Sequence, residues 1–300
     1  MRVDSNMVPN ILSDLTQSQD TLNVLLQEVA TGKSVSQPSD NPSASAAMVE
    51  NTIESANVDQ YTQNVGSTLT TVQSASSVLS AVVTSLTQAV SLGTQGANGT
   101  TSATNQQALA EQVQSILADV VSQANTSVGG AYLFGGTATG QPPYTADAAS
   151  STGYTYNGNN DSNSVAVGDN LNVQVGLPGS QVFSNAGNSV IGALSSLATA
   201  LQGGNTSAIS SATSAISNAI SYLGQQQAFY AGAQGQLNAQ ETTLQQDTVS
   251  LKSQENNLIG VDEATAATEL SQAETDNSAV LAAAAKVLPN TLLNYLAPPA

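Results

Sequence analysis

Apolar residues recur along this chain in two rhythms. Near the start, Val8, Leu12, Leu15, Leu22, Leu26 and Val29 are spaced by three, four or seven. Near the end, Tyr230, Leu237, Leu244, Leu251 and Leu258 recur every seven. Such spacing lays a narrow apolar seam along one side of a helix, and a narrow seam is buried only against partner helices. The simplest partner for the first segment is the last one. A long series, Val58, Tyr61, Val65, Leu69, Val72, Ala75, Leu79, Val82, Leu86 and Val90, predicts a helix from Pro42 to about Leu92. At 1.5 Å per residue it would span roughly 75 Å. Leu109, Val113, Ile116, Val120 and Ala124 mark a further helix. Helical spacing resumes at Ile191, Leu194, Leu197 and Leu201, then at Ile209, Ala212, Ile216, Ala219 and Leu223. It ends in an Ala-rich segment from Val261 that Pro289 interrupts.

From Ala131 to Gly187 the rhythm changes. Tyr132-Leu133-Phe134, Tyr154-Thr155-Tyr156, Val165-Ala166-Val167 and Leu171-Asn172-Val173-Gln174-Val175 are short β-type runs. Turn formers separate them, including Asn157-Gly158-Asn159-Asn160, Gly168-Asp169-Asn170 and Pro178-Gly179. This predicts a small antiparallel β domain entered at Gly129-Gly130. Other breaks fall at Gly32, a natural left-handed stop for the first helix, at the polar loop through Pro38 and Pro42, at 93–104, at Gly203-Gly204 and at Gly260. Asp40 or Asn41 can cap the second helix, with Pro42 near its first position. The predicted fold is therefore mainly α with a small β insertion, a long antiparallel helical rod or coiled coil formed by the N- and C-terminal regions. Its parts are 1–41 with 259–300 as terminal coiled-coil helices, 42–130 with 188–258 as a central helical rod, and 131–187 as the β domain.

Composition sharpens this picture. Of 300 residues, 40% are hydrophobic but only 4% are aromatic, and Trp is absent. Ala, Val, Leu and Ile suit thin helical seams better than a bulky core. Only 8% are charged, against about 25% in ordinary soluble domains. The net charge is −17, with Arg2, Lys33, Lys252 and Lys286 the only cations. Phosphate binding needs clustered Lys and Arg, so neither nucleic acid nor an anionic membrane surface is an expected partner. No run of about 18 apolar residues stands out, so no membrane span is expected. The first residues show no signal peptide, which leaves cytoplasmic residence or export without a cleaved leader.

Candidate chemistry is sparse. The chain has no Cys and no His, which removes Cys/His zinc sites and His-dependent nucleophilic machinery. Asp262, Glu269 and Asp276 share one helix face, with Glu263 and Glu274 nearby, and read as a solvated or subunit-facing stripe rather than a calcium or catalytic cluster. The Asp40-Asn41 turn reads as a cap rather than a metal site. Asn98-Gly99-Thr100, Asn125-Thr126-Ser127 and Asn205-Thr206-Ser207 match the N-glycosylation pattern, as chance allows in a Ser/Thr/Asn-rich chain. No cofactor, metal or catalytic residue is predicted. The remaining non-structural possibility is a helical ligand-binding bundle or enzyme.

Val29-Ala30-Thr31-Gly32-Lys33 followed by Pro38-Ser39-Asp40-Asn41-Pro42-Ser43-Ala44 resembles the flagellin superfamily, whose members end a first helix in a similar Thr-Gly stop and enter a long helix through an Asp-rich turn. Asn41 stands where that turn usually has a second Asp. Gly130-Ala131-Tyr132-Leu133-Phe134-Gly135-Gly136, Pro142-Pro143-Tyr144 and the ending Thr291-Leu292-Leu293-Asn294-Tyr295-Leu296 are similar to the hook-associated protein 3 branch. The resemblance implies a non-enzymatic flagellar subunit, exported through the flagellar type III channel and located at the extracellular hook–filament junction. It implies as partners further copies of the chain, the hook-side junction protein, flagellin, the export apparatus and an export chaperone. Flagellin itself is the alternative within the family. On this reading the assembly interface comprises Leu12, Leu15, Leu22, Leu26 and Val29, with Leu270, Val280, Leu281, Leu288, Leu292, Leu293 and Leu296. The helix–turn–helix motif comprises Thr31, Gly32, Lys33, Pro38, Ser39, Asp40, Asn41 and Pro42.

Overall fold

The computed structural model describes residues 7–296, with side chains described from Pro9 to Lys286. The chain divides into two compact units: Met1–Asn57 with Asp247–Ala300, and Val58–Gln246. The elements in order are α1 (Met7–Thr31), α2 (Pro42–Gly96), α3 (Ala103–Ala124), β1 (Ser127–Val128), β2 (Ala131–Tyr132), β3 (Tyr144–Ala146), β4 (Tyr154–Tyr156), β5 (Ser164–Gly168), β6 (Leu171–Gln174), α4 (Gly179–Val182), α5 (Val190–Gln202), α6 (Thr206–Ile259) and α7 (Glu263–Leu296). Helices α2 and α6 contribute residues to both units.

The central unit, 58–246, is a helical bundle. Val65, Val72, Leu79, Val82 and Leu86 of α2 are buried, as are Val113 and Val120 of α3, Leu194, Leu197 and Leu201 of α5, and Ile209, Ile216, Leu223, Tyr230 and Leu237 of α6. Helices α2 and α6 run antiparallel: Gln227 Nε2 donates to Ser80 Oγ at 3.2 Å, and further along Gly93 lies against Thr213. Gly93 and Gly96 carry no side chain where α2 meets Thr213 and Leu201. That close approach keeps α2 helical to Gly96, so the turn expected over 93–104 is confined to 97–102. Ser102 caps α3 by accepting from the Asn105 N–H at 3.3 Å.

The expectation of no membrane-length apolar stretch is corrected at α2. One 18-residue window there has a mean hydropathy of 1.4 and passes for a span by length and composition. The reason is that Ser and Thr, not charged residues, interrupt its apolar positions. Thr70, Ser74, Ser80, Thr84 and Thr87 donate back to the carbonyl four residues earlier, which satisfies their hydroxyls within the helix.

The β insertion also departs from expectation. It is not one small sheet but three separate two-stranded antiparallel ladders, β1–β2, β3–β4 and β5–β6, and the first begins at Ser127, ahead of Ala131. An aromatic cluster gathers β3 and β4 with the residues that follow β2 and α4, while β5 is tied to α2, Asn64 Nδ2 donating to the Ala166 carbonyl at 2.9 Å. Phe134 and Phe183 meet edge to face at 5.0 Å, Tyr144 and Tyr156 lie 5.2 Å apart, and Tyr144 reaches Phe183 at 6.1 Å. The Tyr144 hydroxyl donates to the Gly179 carbonyl at 2.7 Å. Asn125, at the C-terminus of α3, grips the Tyr144 backbone twice, each bond 2.8 Å. Burial pushes the Tyr230 phenol up to about 12, and its oxygen accepts the Leu177 N–H at 3.2 Å. Short strands expose most of their backbone, so packing onto the helices supplies the stability that a wider sheet would otherwise give.

In the other unit, 1–57 with 247–300, α1 packs against α7. This corrects the pairing of the first seam with the Tyr230–Leu258 heptad. That heptad belongs to α6, where Tyr230, Leu237, Leu244 and Leu251 are buried. The α7 helix continues through Pro289 rather than stopping there.

Candidate assembly interface

The terminal unit is organised by its helix–turn–helix. Gly32 adopts φ +70, the left-handed conformation that glycine reaches without a Cβ penalty. Its N–H donates to the Glu28 carbonyl at 2.8 Å and closes α1. The next residues stitch onto the α6–α7 junction. Ser34 N–H donates to Ile259 O at 2.7 Å, Val261 N–H donates to Gly32 O at 3.1 Å, and Lys33 pairs with Gly260 in a β-bridge. The Thr31 hydroxyl donates to Gln27 O, and Lys33 Nζ lies 3.3 Å from Glu255 Oε1. This ion pair is solvated and contributes at most about 1 kcal/mol.

The two candidate caps divide their labour. Asn41 Oδ1 accepts from Ala44 N–H at 3.1 Å and Ser43 Oγ at 2.8 Å, so Asn41 caps α2. Asp40 instead closes the loop between Pro38 and Pro42, accepting from Gln37 N–H at 2.8 Å and Ser36 N–H at 3.1 Å, with Ser39 Oγ also beside it. The Gln37 N–H holds the Asp40 carboxyl below its ordinary value of 3.8 against a small opposing desolvation, and Ser36 adds to the lowering. Further along α2, Asn51 is buried and donates to the Leu251 carbonyl at 3.1 Å.

On α1 the residues turned inward are Ile11, Leu15, Ser18, Leu22, Leu25 and Glu28. On α7 they are Ala266, Leu270, Ala273, Asn277, Val280 and Ala284. Both sets are spaced by threes and fours, alternating along α7 and along α1 as far as Leu25, the coiled-coil spacing. Of the candidate interface residues, Leu15, Leu22, Leu270 and Val280 therefore serve the seam within this unit. Leu12, Leu26, Val29 and Leu281 are exposed, Leu12 to 63%. The side chains of Leu288, Leu292, Leu293 and Leu296 lie outside the described residues. Ile11 and Leu25 escaped the sequence reading because the polar Ser18 sits between them and hides their seven-residue interval. Ile53 and Val249 escaped because each stands between polar neighbours, whereas Val24 and Val49 escaped because they sit in apolar runs, Val24-Leu25-Leu26 and Ala46-Ala47-Met48-Val49, that blur the helical spacing. Ile53 is 59% exposed and Val249 68%.

The exposed apolar set is concentrated. Among the described residues, Leu12, Val24, Leu26, Val29, Val49, Ile53, Val249 and Leu281 all lie in the terminal unit, and Leu171 alone lies in the central one. A groove of about 490 Å³ between α1 and α7 is lined by Thr21, Leu25, Thr268, Glu269, Gln272, Ala273 and Asp276. It places Glu269 and Asp276 of the acidic stripe at the edge of the seam. Among the described residues, no group of His, Cys, Asp or Glu is arranged to hold a metal ion.

Residues 4–139 match the bacterial flagellin N-terminal helical region. That match takes in a little under half of the chain. The chain is 30% identical over 187 residues to the flagellar hook-associated protein 3 of Salmonella typhimurium, a match spanning 62% of this chain and 57% of the relative. The Escherichia coli protein of the same name is 27% identical over 194 residues, across 64% of this chain and again 57% of the relative. The chain thus matches little more than half the length of these relatives. Among solved structures, Bacillus cereus FlgL superposes with a TM-score of 0.59 at 22% identity, covering 69% of this chain and 99% of that one. The flagellar junction protein FlgL of Legionella pneumophila gives 0.59 at 14% identity, covering 71% and 100%. These likenesses establish the flagellin-like fold, with long helices and small strand insertions.

Proposed function

We propose that this chain is a structural subunit of the bacterial flagellum that joins the hook to the flagellin filament. The observation that carries the reading is the concentration of exposed large apolar side chains in the terminal unit, eight of nine among the described residues. Burying one such side chain is worth about 1.5–3 kcal/mol. A surface with eight of them is a large unrealised gain for a solitary chain and a strong driving force for stacking copies. The relatives' names supply the setting. On this reading the partners are further copies of the chain, the hook-side junction protein and flagellin. The chain reaches the extracellular flagellum through the flagellar export apparatus, escorted by a chaperone. The three-part division of the chain into terminal helices, central helical part and β insertion belongs to the same proposal, with the terminal helices as the assembling part.

The test separates exposed from seam positions. Leu12→Asp with Leu26→Asp should leave the circular dichroism and melting of the isolated chain unchanged, because both sites are solvated. The same variant should not self-associate in sedimentation and should not support motility. Immunogold labelling of intact flagella should mark a short zone at the filament base. Labelling along the whole filament would assign the chain as the filament subunit. Normal assembly by the double variant would remove the apolar stripe as the interface.

A further inference from the structure

Two Asn-Gly pairs occur in the chain, Asn98-Gly99 and Asn157-Gly158, and the fold treats them differently. Asn98 is exposed in the turn between α2 and α3. Its Oδ1 accepts two hydrogen bonds from Thr100, from the N–H at 3.4 Å and from the hydroxyl at 3.1 Å. Its own Nδ2 and the Gly99 N–H donate to no described residue. The side of Gly99 where a Cβ would stand is open, with nothing within 4 Å. At the second pair, Asn157 Nδ2 donates to Thr145 Oγ1 at 2.8 Å, and the Asn157 N–H donates to Pro143 O at 2.8 Å. Gly158 is wedged: a Cβ there would fall 2.5 Å from Tyr156 Cζ and 2.7 Å from the Gly135 carbonyl oxygen.

We propose that Asn98 is a self-modifying site, converted by its own neighbours and water to aspartate and isoaspartate. The Gly99 backbone nitrogen, losing its proton to solvent base, attacks Asn98 Cγ and forms a five-membered succinimide ring. The electron pair of the Cγ=Oδ1 bond moves onto Oδ1, where the two Thr100 donors already point. Donors held at the site of a developing oxyanion lower the barrier because they need no rearrangement. Collapse expels Nδ2, which takes a proton from water and leaves as ammonia. Water then opens the ring at either carbonyl. The balance is one water consumed and one ammonia released, with no oxidant, metal or second protein. Glycine allows the closure because it lacks a Cβ that would shield the nitrogen and tolerates the backbone rotation required. At Asn157 the leaving nitrogen is engaged by Thr145, no donor meets Oδ1, and the packing around Gly158 opposes that rotation.

The product places a new carboxylate in a unit that has no Lys or Arg anywhere between 58 and 246. No nearby cation offsets it. Isoaspartate also lengthens the backbone by one methylene in the turn that Thr101 anchors to Gln95 O.

The experiment is incubation of the full chain at mildly alkaline pH, followed by peptide mass spectrometry. Digestion must use chymotrypsin or a glutamate-specific protease, since trypsin finds no site between Lys33 and Lys252. The peptide containing Asn98 should gain the mass of amide-to-acid conversion and split into two isomers, while the Asn157 peptide stays unchanged. Gly99→Ala should abolish conversion on the same timescale, and Thr100→Ala should slow it several-fold. Both positions are exposed, so circular dichroism should show these variants folded. A rate at Asn98 no greater than at Asn157, or one indifferent to Thr100→Ala, overturns the proposal.

Discussion

The two units spend their apolar residues in opposite ways. Every large side chain that is fully buried, from Leu79 and Leu86 through Phe134 and Phe183 to Tyr230 and Leu237, belongs to 58–246. Among the described residues, the terminal unit holds eight of the nine exposed large apolar side chains. Its internal α1–α7 seam is one residue wide; three of its six inward α7 residues are alanines, and Asn277, Ser18 and Glu28 are polar breaks. Burial contributes roughly 25 cal/mol per Å² of apolar surface, so alanines yield little and a core of leucines and aromatics yields much. The central unit is complete within one chain. The terminal unit is ordered by a thin pairing and leaves most of its large apolar side chains in solvent, the surface that the proposed assembly would cover.

That contrast can be broken most directly in the core. Leu194→Asp would bury an unpaired carboxylate among Leu197, Leu201 and their neighbours, costing several kcal/mol. Cooperative melting of the central bundle should be lost in calorimetry. A folded variant would show that the central unit is not self-sufficient. Next in size is Leu22→Asp, at the half-buried seam. It should release α1 and α7 in amide exchange while the protection of α2 and α6 over 65–90 and 209–240 stays as in the parent chain. Coupled loss of protection in both units would erase the distinction between them. Tyr144→Phe probes the β insertion. Removing a hydroxyl that donates to Gly179 O and lies 2.8 Å from Ser184 Oγ should lower stability by about 1–2 kcal/mol. The melting point of the central unit should fall with no change in association. If it does not move, the aromatic cluster is not what holds the insertion to the bundle.

The smallest effect expected is one of pH on the loop at 36–42. The folded-state value of Asp40 is depressed below 3.8 by the Gln37 and Ser36 donors. A depressed carboxyl contributes stability above its unfolded value and loses it as pH falls through the folded value. Amide exchange at Gln37 should therefore accelerate as pH drops below about 3.8, after the intrinsic exchange rate is subtracted. Asp40→Asn should show the faster exchange already at neutral pH. Equal protection in both chains across that window would show that the carboxylate does not hold the loop.

Legibility differed by feature. The stops at Gly32 and Gly260, a cap at Asp40 or Asn41 and the heptad Tyr230–Leu251 follow from local rules, since a helix-breaking glycine, a side-chain cap and a seven-residue interval each act within a few residues of backbone. The flagellin-like resemblance lay in the same short motifs around 29–44 and 130–144. For the first helix the sequence left two partners open, the Tyr230–Leu258 heptad and the segment 259–300, because any narrow seam fits any other. Two stripes overlap on α1, one through Leu12, Leu26 and Val29 and one through Ile11, Leu15, Leu22 and Leu25, and spacing alone does not tell which is taken by α7. The end of α2 was misjudged because Gly93 and Gly96 read as breakers, whereas they are small where Thr213 and Leu201 press close.

By itself the sequence determined the helical class, the stops and caps, the lack of Cys- or His-based chemistry and the place where β texture begins. Those properties rest on backbone preferences and side-chain chemistry that each residue carries wherever it sits. Tertiary structure decided which stripe of α1 is turned inward and which stays exposed. It also broke the insertion into three separate ladders, with β3–β4 packed into the cluster of Phe134, Tyr144 and Phe183. Both outcomes depend on which distant surfaces meet, and helix periodicity repeats too regularly to encode that choice one residue at a time.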